Sequence, residues 1–369
     1  MRIAFLCKRR YMGKDVILDR YARLYEIPYQ LACLGHDVQG YCLSYQNQDE
    51  GSWMHDAAPG RLTWTSVSAG APFFGKLASY PLHLLGELRK FSPDVIVGAS
   101  DIPHVALAGW LARRLRIPYA ADLYDNFEGF GQAKIPGFVS ALRRSVRKAD
   151  LVTTTSEPLR KLVLDEYGAG GTVLAMPSTV DKAIFRPDDK ISARLELGLP
   201  ATALLIGTAG GLYRDKGVTT LYDAWPSIAE AHPDAHLVIA GPYDQPPPEG
   251  PKVHYLGQLP HAQTAKLFNA LNLGVIYLRD TPFGRYCFPQ KAYEMMACGL
   301  PLVAARIGVM PDLLAGSPEG LYCADDPASL ARAVDAQLRN SSSHLAQIED
   351  WAQIIARMNE HLLTIAGQG

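Results

Sequence analysis

The sequence is short of cysteine, and its six cysteines form no C-x-x-C pair. Cys7, Cys33, Cys42, Cys287, Cys298 and Cys323 are scattered, mostly in apolar runs where a free thiol behaves as a small buried hydrophobe. That excludes a disulfide framework as the organising device and fits a reducing, cytoplasmic setting. No run reaches the ~20 apolar residues that a membrane span requires. The opening "MRIAFLCKRR" has too short an apolar stretch for a signal peptide and reads as a first strand. Asp-x-Asp, H-E-x-x-H and Cys/His clusters at ligand spacing are all missing, so no metal site is expected. G-x-G-x-x-G is missing too, which weakens any dinucleotide reading. Excess charge of one sign is lacking, with 36 Lys/Arg against 37 Asp/Glu, and no nucleic-acid partner is expected. The balance is local only. Residues 1–182 carry 22 basic and 18 acidic side chains and the remainder 14 and 19, about +4 against −5, which suggests two parts with separate tasks.

What is present is a rhythm. At 369 residues the chain suits two domains of ordinary size. Short apolar strands are expected near residues 3–7, 37–42, 95–99, 119–123, 151–154 and 173–175, with helical patterns such as 27–34 and 105–116 between them. The rhythm restarts at 204–208, 237–240, 253–255, 274–277 and 302–304, interleaved with helices near 219–232, 261–269 and 291–298. Fully apolar short strands joined by helices imply parallel sheets covered on both faces, and two such series in tandem imply two Rossmann-like domains. The Pro-rich "PSTVDKAIFRP" (177–187) marks the boundary. The last stretch sets Leu345, Ile348, Trp351, Ile354, Ile355 and Met358 at helical spacing.

Several segments together resemble glycosyltransferase family 4, the large retaining group of GT-B fold. "LACLGHDVQGY" is similar to the family's Leu-Ala-x-x-x-Gly-His-x-Val junction, and "KADLVTTTSEPLRKLV" to its Ala-Asp-x-Val…Ser segment. "PSTVDKAIFRP" resembles its linker, "GGLYRDKG" its Gly-Arg-Leu…Lys-Gly loop, "EMMACGLPLVAA" its Glu-Ala-Met-Ala-Cys-Gly-x-Pro run, and "IEDWAQI" its late Trp helix. These resemblances span nearly the whole chain in order. The linker Asn-Gly is Ser178-Thr179 here, the loop Arg is Gly211, and the first of the family's two glutamates is Tyr286. Pro289-x-Lys291-x-x-Glu294 matches a Pro-x-Lys-x-x-Glu subset.

The resemblance implies an α/β, GT-B architecture, two Rossmann-like domains facing each other across a cleft. Residues 1–180 would bind the acceptor and 181–344 the nucleotide sugar, with a C-terminal helix, 345–369, returning to the first domain. It also ranks readings that the residues alone leave open. Pro289 is suited to open a helix whose unpaired N–H groups attract an anion, so a diphosphate can rest against Phe288, Gln290 and Lys291. Glu294, one turn on, can accept two hydrogen bonds from a ribose diol, or it can simply pair with Lys291 at i, i+3 on a solvated face. By resemblance it is the ribose-binding glutamate. Lys216 would neutralise the leaving diphosphate while Gly210 and Gly211 allow close approach; by letters alone it is an exposed lysine in a loop.

In the first domain, Gly13 with Arg10 and Lys14 in the basic loop after the first strand is expected to meet donor or acceptor, the alternative being a solvated charge run. Tyr124 stands where the family often has His, and with Lys216 it and Asp125 are the catalytic candidates. Asp125, with Glu128 nearby, would bond a sugar or acceptor hydroxyl; the same letters also make an Asp/Asn turn. Residues 134–150 read as a basic amphipathic helix, either packed on the sheet or lying on anionic lipid. The expected activity is retaining, metal-independent transfer of a hexosyl group from a nucleotide sugar to a saccharide, lipid-linked or small-molecule hydroxyl acceptor, without cofactor. It would serve cell-surface polysaccharide or glycolipid synthesis in the cytoplasm, with peripheral contact to the inner membrane face. A nucleotide-sugar epimerase and a non-catalytic binding module remain as alternatives.

Overall fold

The computed structural model describes residues 1–70, 73–340 and 348–367. The chain forms two compact units, Met1–Ser178 with Trp351–Gly369, and Thr179–Asp350.

The first unit is built on strands β1 (Arg2–Lys8), β2 (Arg10–Tyr11), β3 (Lys14–Asp15), β4 (Asp37–Ser44), β5 (Gly51–His55), β6 (Arg61–Ser68), β7 (Val95–Gly98), β8 (Tyr119–Leu123), β9 (Leu151–Thr154) and β10 (Thr172–Ala175). Eight of them make one sheet in the order β10-β9-β8-β7-β1-β4-β6-β5. All its pairings are parallel except β5 with β6. Ile3 through Cys7 of the central strand are fully buried, as expected of a strand with helices on both faces. Toward the edge the pattern changes: β6, "RLTWTSVS", alternates, and Trp64 is buried against Gly40, where a Cβ would lie 2.2 Å from the indole. The sequence reading lacks β5, β6 and the helix Phe73–Phe91. The C-terminal helix begins at Trp351 rather than 345 and seats Ile354, Ile355, Met358 and Leu362 in this unit's core; residues 345–347, 368 and 369 of the expected helix lie outside the described residues.

A buried ion pair fixes the strand that leads to Tyr124. Arg23 and Asp122 are both fully buried, with Arg23 Nη2 2.6 Å from Asp122 Oδ1. Thr153 Oγ1 donates to the same carboxylate at 2.6 Å, and Arg23 also donates to the Met176 carbonyl. With nearly every polar atom engaged, removing one partner would strand a charge in the core.

The second unit carries β11 (Leu204–Ala209), β12 (Ala235–Ala240), β13 (Val253–Tyr255), β14 (Leu273–Ile276), β15 (Leu302–Ala305) and β16 (Leu321–Tyr322). They form an all-parallel sheet in the order β13-β12-β11-β14-β15-β16. The order reverses beside β11, and in such sheets ligands bind beyond the C-terminal ends of the strands. The loops there hold residues 210–217, 241–244 and 277–290.

Candidate active site

In the second unit, Gly210 and Gly211 follow directly after β11. Gly210 has φ +110, a conformation that favours glycine, and Lys291 Nζ lies beside it, 3.5 Å from where a Cβ would be, an ordinary contact distance. Lys291 comes from the first turn of the helix Gln290–Ala297, with Pro289 standing just outside as its N-cap rather than as its first residue. No side chain caps that helix, and its first N–H groups face away from any intrahelical partner. Lys291 Nζ sits over the Tyr277 ring, 4.6 Å from the centroid, while the Tyr277 hydroxyl donates to the Gly211 carbonyl at 2.9 Å. Burial, with the nearby Lys216 charge adding to it, lowers the Lys291 ammonium to about 8. Two cations held near one another with no acid bonded to either form a place for an anion.

Lys216 ends a short 3-10 turn, Arg214–Lys216, and Gly217 in the left-handed region (φ +97) then starts the helix Val218–Ala231. Its ammonium makes no hydrogen bond or ion pair among the described residues; it lies 5.5 Å from the Tyr213 centroid and 5.8 Å from that of Phe283. Glu294 is likewise unmatched: burial pushes its carboxyl up to about 7, Lys291 acting against that, and no described residue donates a hydrogen bond to it. It is not the solvated i, i+3 partner that the bland sequence reading supposes. Phe288 packs edge-on to Tyr293 with centroids 4.6 Å apart, and Gln290 Nε2 donates to the Thr179 carbonyl at 3.4 Å.

Gly211 has a specific neighbour. A Cβ at this position would come within 2.4 Å of the Tyr213 ring, so the tyrosine fills the space that a longer residue 211 would need. Arg285, a candidate to replace the absent arginine, is instead paired with Asp280 at 2.5 Å. Arg214 lines a separate cavity of about 210 Å³ with Thr219 and Asp223.

In the first unit the sequence-predicted residues divide. Gly13 turns the β2–β3 hairpin with φ +81 and open space where a Cβ would be, and Lys14 is exposed beside it. Arg10 donates to Gln46 Oε1 at 2.7 Å. Arg9 of the same basic run is buried, held by Asp15 at 3.0 Å and by the Asp49 carbonyl, so the run is a clamped loop and not a free charge cluster. Tyr124 lies among aromatic rings, 4.9 Å from Tyr11 and 5.1 Å from Phe127. Asp125 Oδ1 accepts the Asn126 N–H at 2.7 Å, and Asn126 Oδ1 accepts the Glu128 N–H at 3.1 Å, the Asx-type turn that the same letters also allowed. Glu128, read as a neighbour for the acceptor, is forked by Arg143 at 2.6 and 2.8 Å. Within this unit Tyr124 and the hairpin are linked through Tyr11.

The sequence reading misses a polar cluster next to Tyr124. Lys8 Nζ donates to the Tyr124 hydroxyl at 3.2 Å, and Lys8 N–H donates to Ser100 Oγ at 2.8 Å. Asp101 caps the helix Ile102–Leu115, accepts the His104 N–H at 3.0 Å, pairs with His104 Nδ1 at 2.6 Å and accepts from the Tyr45 hydroxyl at 3.1 Å. Burial works to raise the Asp101 carboxyl, but His104 and then Lys8 outweigh it and hold it below its ordinary value. His104 Nε2 is buried with no hydrogen-bond partner. The signal was "SDIPH" directly after β7, an acid two residues before a proline and three before a histidine, which marks a cap as readily as a site.

Among the described residues there is no group of three or more metal-ligating side chains, and no helix long and apolar enough to cross a membrane.

Comparison with known proteins follows this division into units. Residues 22–177 match the model described as "Glycosyl transferase 4-like domain", and residues 203–340 the one described as "Glycosyl transferases group 1". A D-inositol 3-phosphate glycosyltransferase of Segniliparus rotundus is 31% identical over 325 residues, 79% of this chain and 70% of that protein. One from Stackebrandtia nassauensis is 28% identical over 63% of this chain, and there the chain spans 54% of the relative's length. Among solved structures, Anabaena HepE in complex with UDP and glucose superposes with a TM-score of 0.69 at 19% identity, covering 98% of this chain and 99% of that one, which shows the GT-B fold. Sequence and fold agree, and the chain belongs to glycosyltransferase family 4.

Proposed function

We propose that this glycosyltransferase works with retention, taking a sugar from a nucleotide-sugar donor bound mainly by Thr179–Asp350 and passing it to a hydroxyl acceptor bound by the first unit. The observation that carries the reading is the convergence of Lys216, Lys291 and Glu294, none with a hydrogen-bonded counter-group, beyond the ends of β11 and β14. Lys291, Gly210, Gly211, Phe288 and Gln290 would hold the donor diphosphate and Glu294 the ribose diol. Lys216 would stabilise the charge that grows on the diphosphate as the bond from the anomeric carbon breaks. The new bond to the acceptor oxygen forms on the same face, and the acceptor proton passes to the departing diphosphate. With Lys216, Lys291 and the helix start balancing the diphosphate, the step requires no metal. Tyr124, Asp125, Gly13, Arg10 and Lys14 would line the acceptor side.

HepE, of the same fold, is described in complex with UDP and with glucose, which supports a nucleotide-sugar donor here. Synthesis of a cell-surface polysaccharide or glycolipid, at the cytoplasmic side of a membrane, is the setting we infer. Incubation with a panel of nucleotide sugars, with and without acceptors, tests the reading. Acceptor-dependent release of nucleotide that persists in EDTA is expected. A changed sugar without acceptor would indicate an epimerase, and binding without turnover a non-catalytic module.

A further inference from the structure

A cavity of about 370 Å³ opens between the helices Ile102–Leu115 and Phe138–Arg147 of the first unit. It lies beside Ile117 and Asp150, just before β8 and β9 begin, and so at the opposite end of these strands from Tyr124. Its floor is made of small side chains such as Ala106 and Ala141 together with Tyr119 and Ser145. The hydroxyls on that floor are already engaged: Tyr119 donates to the Val105 carbonyl at 2.8 Å, and Ser145 donates to the same carbonyl at 2.9 Å. The floor therefore offers apolar contact.

The rim offers charge. Arg113, Arg116, Arg144 and Lys148 all border the cavity. Arg113 uses only its Nε, donating to the Gly109 carbonyl at 3.2 Å, and its two terminal nitrogens are unengaged. The side chains of Arg116, Arg144 and Lys148 make no hydrogen bond or ion pair among the described residues. The one acid on the rim, Asp150, accepts the Tyr119 N–H at 2.9 Å.

Helix C-termini favour cations in their last turns, which accounts for basic residues here but not for where they point. The helix Phe138–Arg147 shows the difference. Arg143 forks Glu128, and Arg147 Nε donates to the Tyr167 carbonyl at 3.0 Å, so both are bound to the protein. Arg144 and Lys148, one residue further on in each case, border the cavity without partners. Arg116 joins them from beyond the end of the other helix, in the left-handed conformation with φ 60.

We propose that this cavity is a second anion site, which takes a small phosphate-bearing molecule independently of the donor. Guanidinium forks match phosphate oxygens in pairs, and the volume falls within the ~300–1,000 Å³ of ordinary small-molecule pockets. The phosphate would meet the rim and the carbon portion the floor. A free phosphorylated metabolite and a phospholipid headgroup share this chemistry.

The test uses the full chain carrying Lys216→Ala and Lys291→Met, which removes both cations of the proposed donor site, so that this site cannot supply the signal. Titration calorimetry with inorganic pyrophosphate should show one saturable site. Arg144→Glu, and separately Lys148→Glu, should weaken it about tenfold or more, whereas Lys161→Glu, an exposed cation elsewhere on the unit, should not. Both rim positions are exposed, and Arg144→Gln with an unchanged unfolding midpoint guards against misfolding. No pyrophosphate binding, or equal binding by Arg144→Glu, overturns the proposal. Sedimentation with phosphatidylglycerol vesicles separates the sources. Pelleting indifferent to Arg144→Glu, with pyrophosphate bound in solution, identifies a free ligand. Pelleting lost in that variant and reversed by pyrophosphate identifies the headgroup at the same site. Pelleting through Arg144 that pyrophosphate does not compete with overturns the cavity as the site.

Discussion

The two units finish the C-terminal ends of their parallel sheets in opposite ways. In the second, burial and then the nearby Lys216 charge lower the Lys291 ammonium, neither lysine is hydrogen-bonded to an acid among the described residues, and the half-buried Glu294 accepts no hydrogen bond from them. In the first, most polar groups already have partners: Lys8 with Tyr124, Arg9 with Asp15, Asp101 with His104 and Tyr45, Glu128 with Arg143. Unmatched charges in a preorganised frame are poised for an ionic ligand, which replaces their missing counter-groups. Satisfied groups can bind only by exchanging bonds they already have, which suits a neutral, hydroxylated molecule seated against rings. On the proposed assignment, the difference is that between a diphosphate donor and a hydroxyl acceptor.

The sharpest way to break this contrast is to remove the unmatched charge closest to the proposed leaving group. Lys216→Ala should lower kcat by about a hundredfold, the order seen when a single donor to transition-state charge is lost, and raise the donor KM much less. Steady-state kinetics with saturating acceptor measures it. Equal changes in kcat and KM would make Lys216 a simple binding group, and no change would return it to an exposed loop.

Glu294 comes next. Glu294→Ala should weaken nucleotide binding about tenfold or more, since hydrogen bonds to a charged group contribute about 1.5–3 kcal/mol. Its stability effect should run the other way. The folded-state value, about 7, is above the ordinary 4.5, so the folded protein favours the protonated form, and stability is lost as pH rises from about 4.5 to about 7, the full penalty standing above that. Glu294→Gln should thus stabilise the apoprotein at pH 8 by about 1 kcal/mol and leave it nearly unchanged at pH 4. Denaturant melts at both pH values decide this. A glutamate with only a structural role would destabilise on removal at pH 8.

Much of this was legible in the sequence, and the remainder has physical reasons for being hidden. The central strands announced themselves because burial on both faces requires unbroken apolar runs such as "IAFLC". The edge strands β5 and β6 did not, because "SWM" and "TWTSVS" mix polar residues with two tryptophans and lack that run. Lys291 and Glu294 could be nominated from their spacing, but spacing could not say that Lys291 Nζ would sit over the Tyr277 ring or that no described residue would donate a hydrogen bond to Glu294. Tyr213 could not be foreseen as the occupant of the space beside Gly211, since that depends on a ring folding back over two residues. The basic run 8–14 looked uniform and is not: Arg9 is a buried clamp, and only its neighbours reach solvent.

A finer test of the contrast is the pH dependence of nucleotide affinity. Glu294 accepts well only when ionised, above about 7, and Lys291 is charged only below about 8. Affinity should therefore peak between the two and fall several-fold on either side. The alkaline limb should disappear in Lys291→Met and the acid limb in Glu294→Gln. A flat profile from pH 6 to 9 would show that the ligand meets neither group.

The smallest effect is expected in the unit whose groups are already satisfied. Tyr124→Phe keeps the ring against Tyr11 and Phe127 and removes only the hydroxyl that accepts from Lys8 Nζ at 3.2 Å. Burial lowers the Lys8 ammonium, Asp101 opposing it, so a Lys8 left without the hydroxyl must find another acceptor. If the acceptor substrate binds by exchanging such bonds, its own hydroxyl can take the vacated place. The acceptor KM should then change by no more than about threefold, in either direction, as expected when one neutral hydrogen bond is exchanged for another. The nucleotide Kd should not move. A tenfold or larger loss in kcat with Tyr124→Phe would give the hydroxyl a part in the chemistry itself. A change in nucleotide affinity would instead bring Tyr124 to the donor and erase the division of labour drawn between the two units.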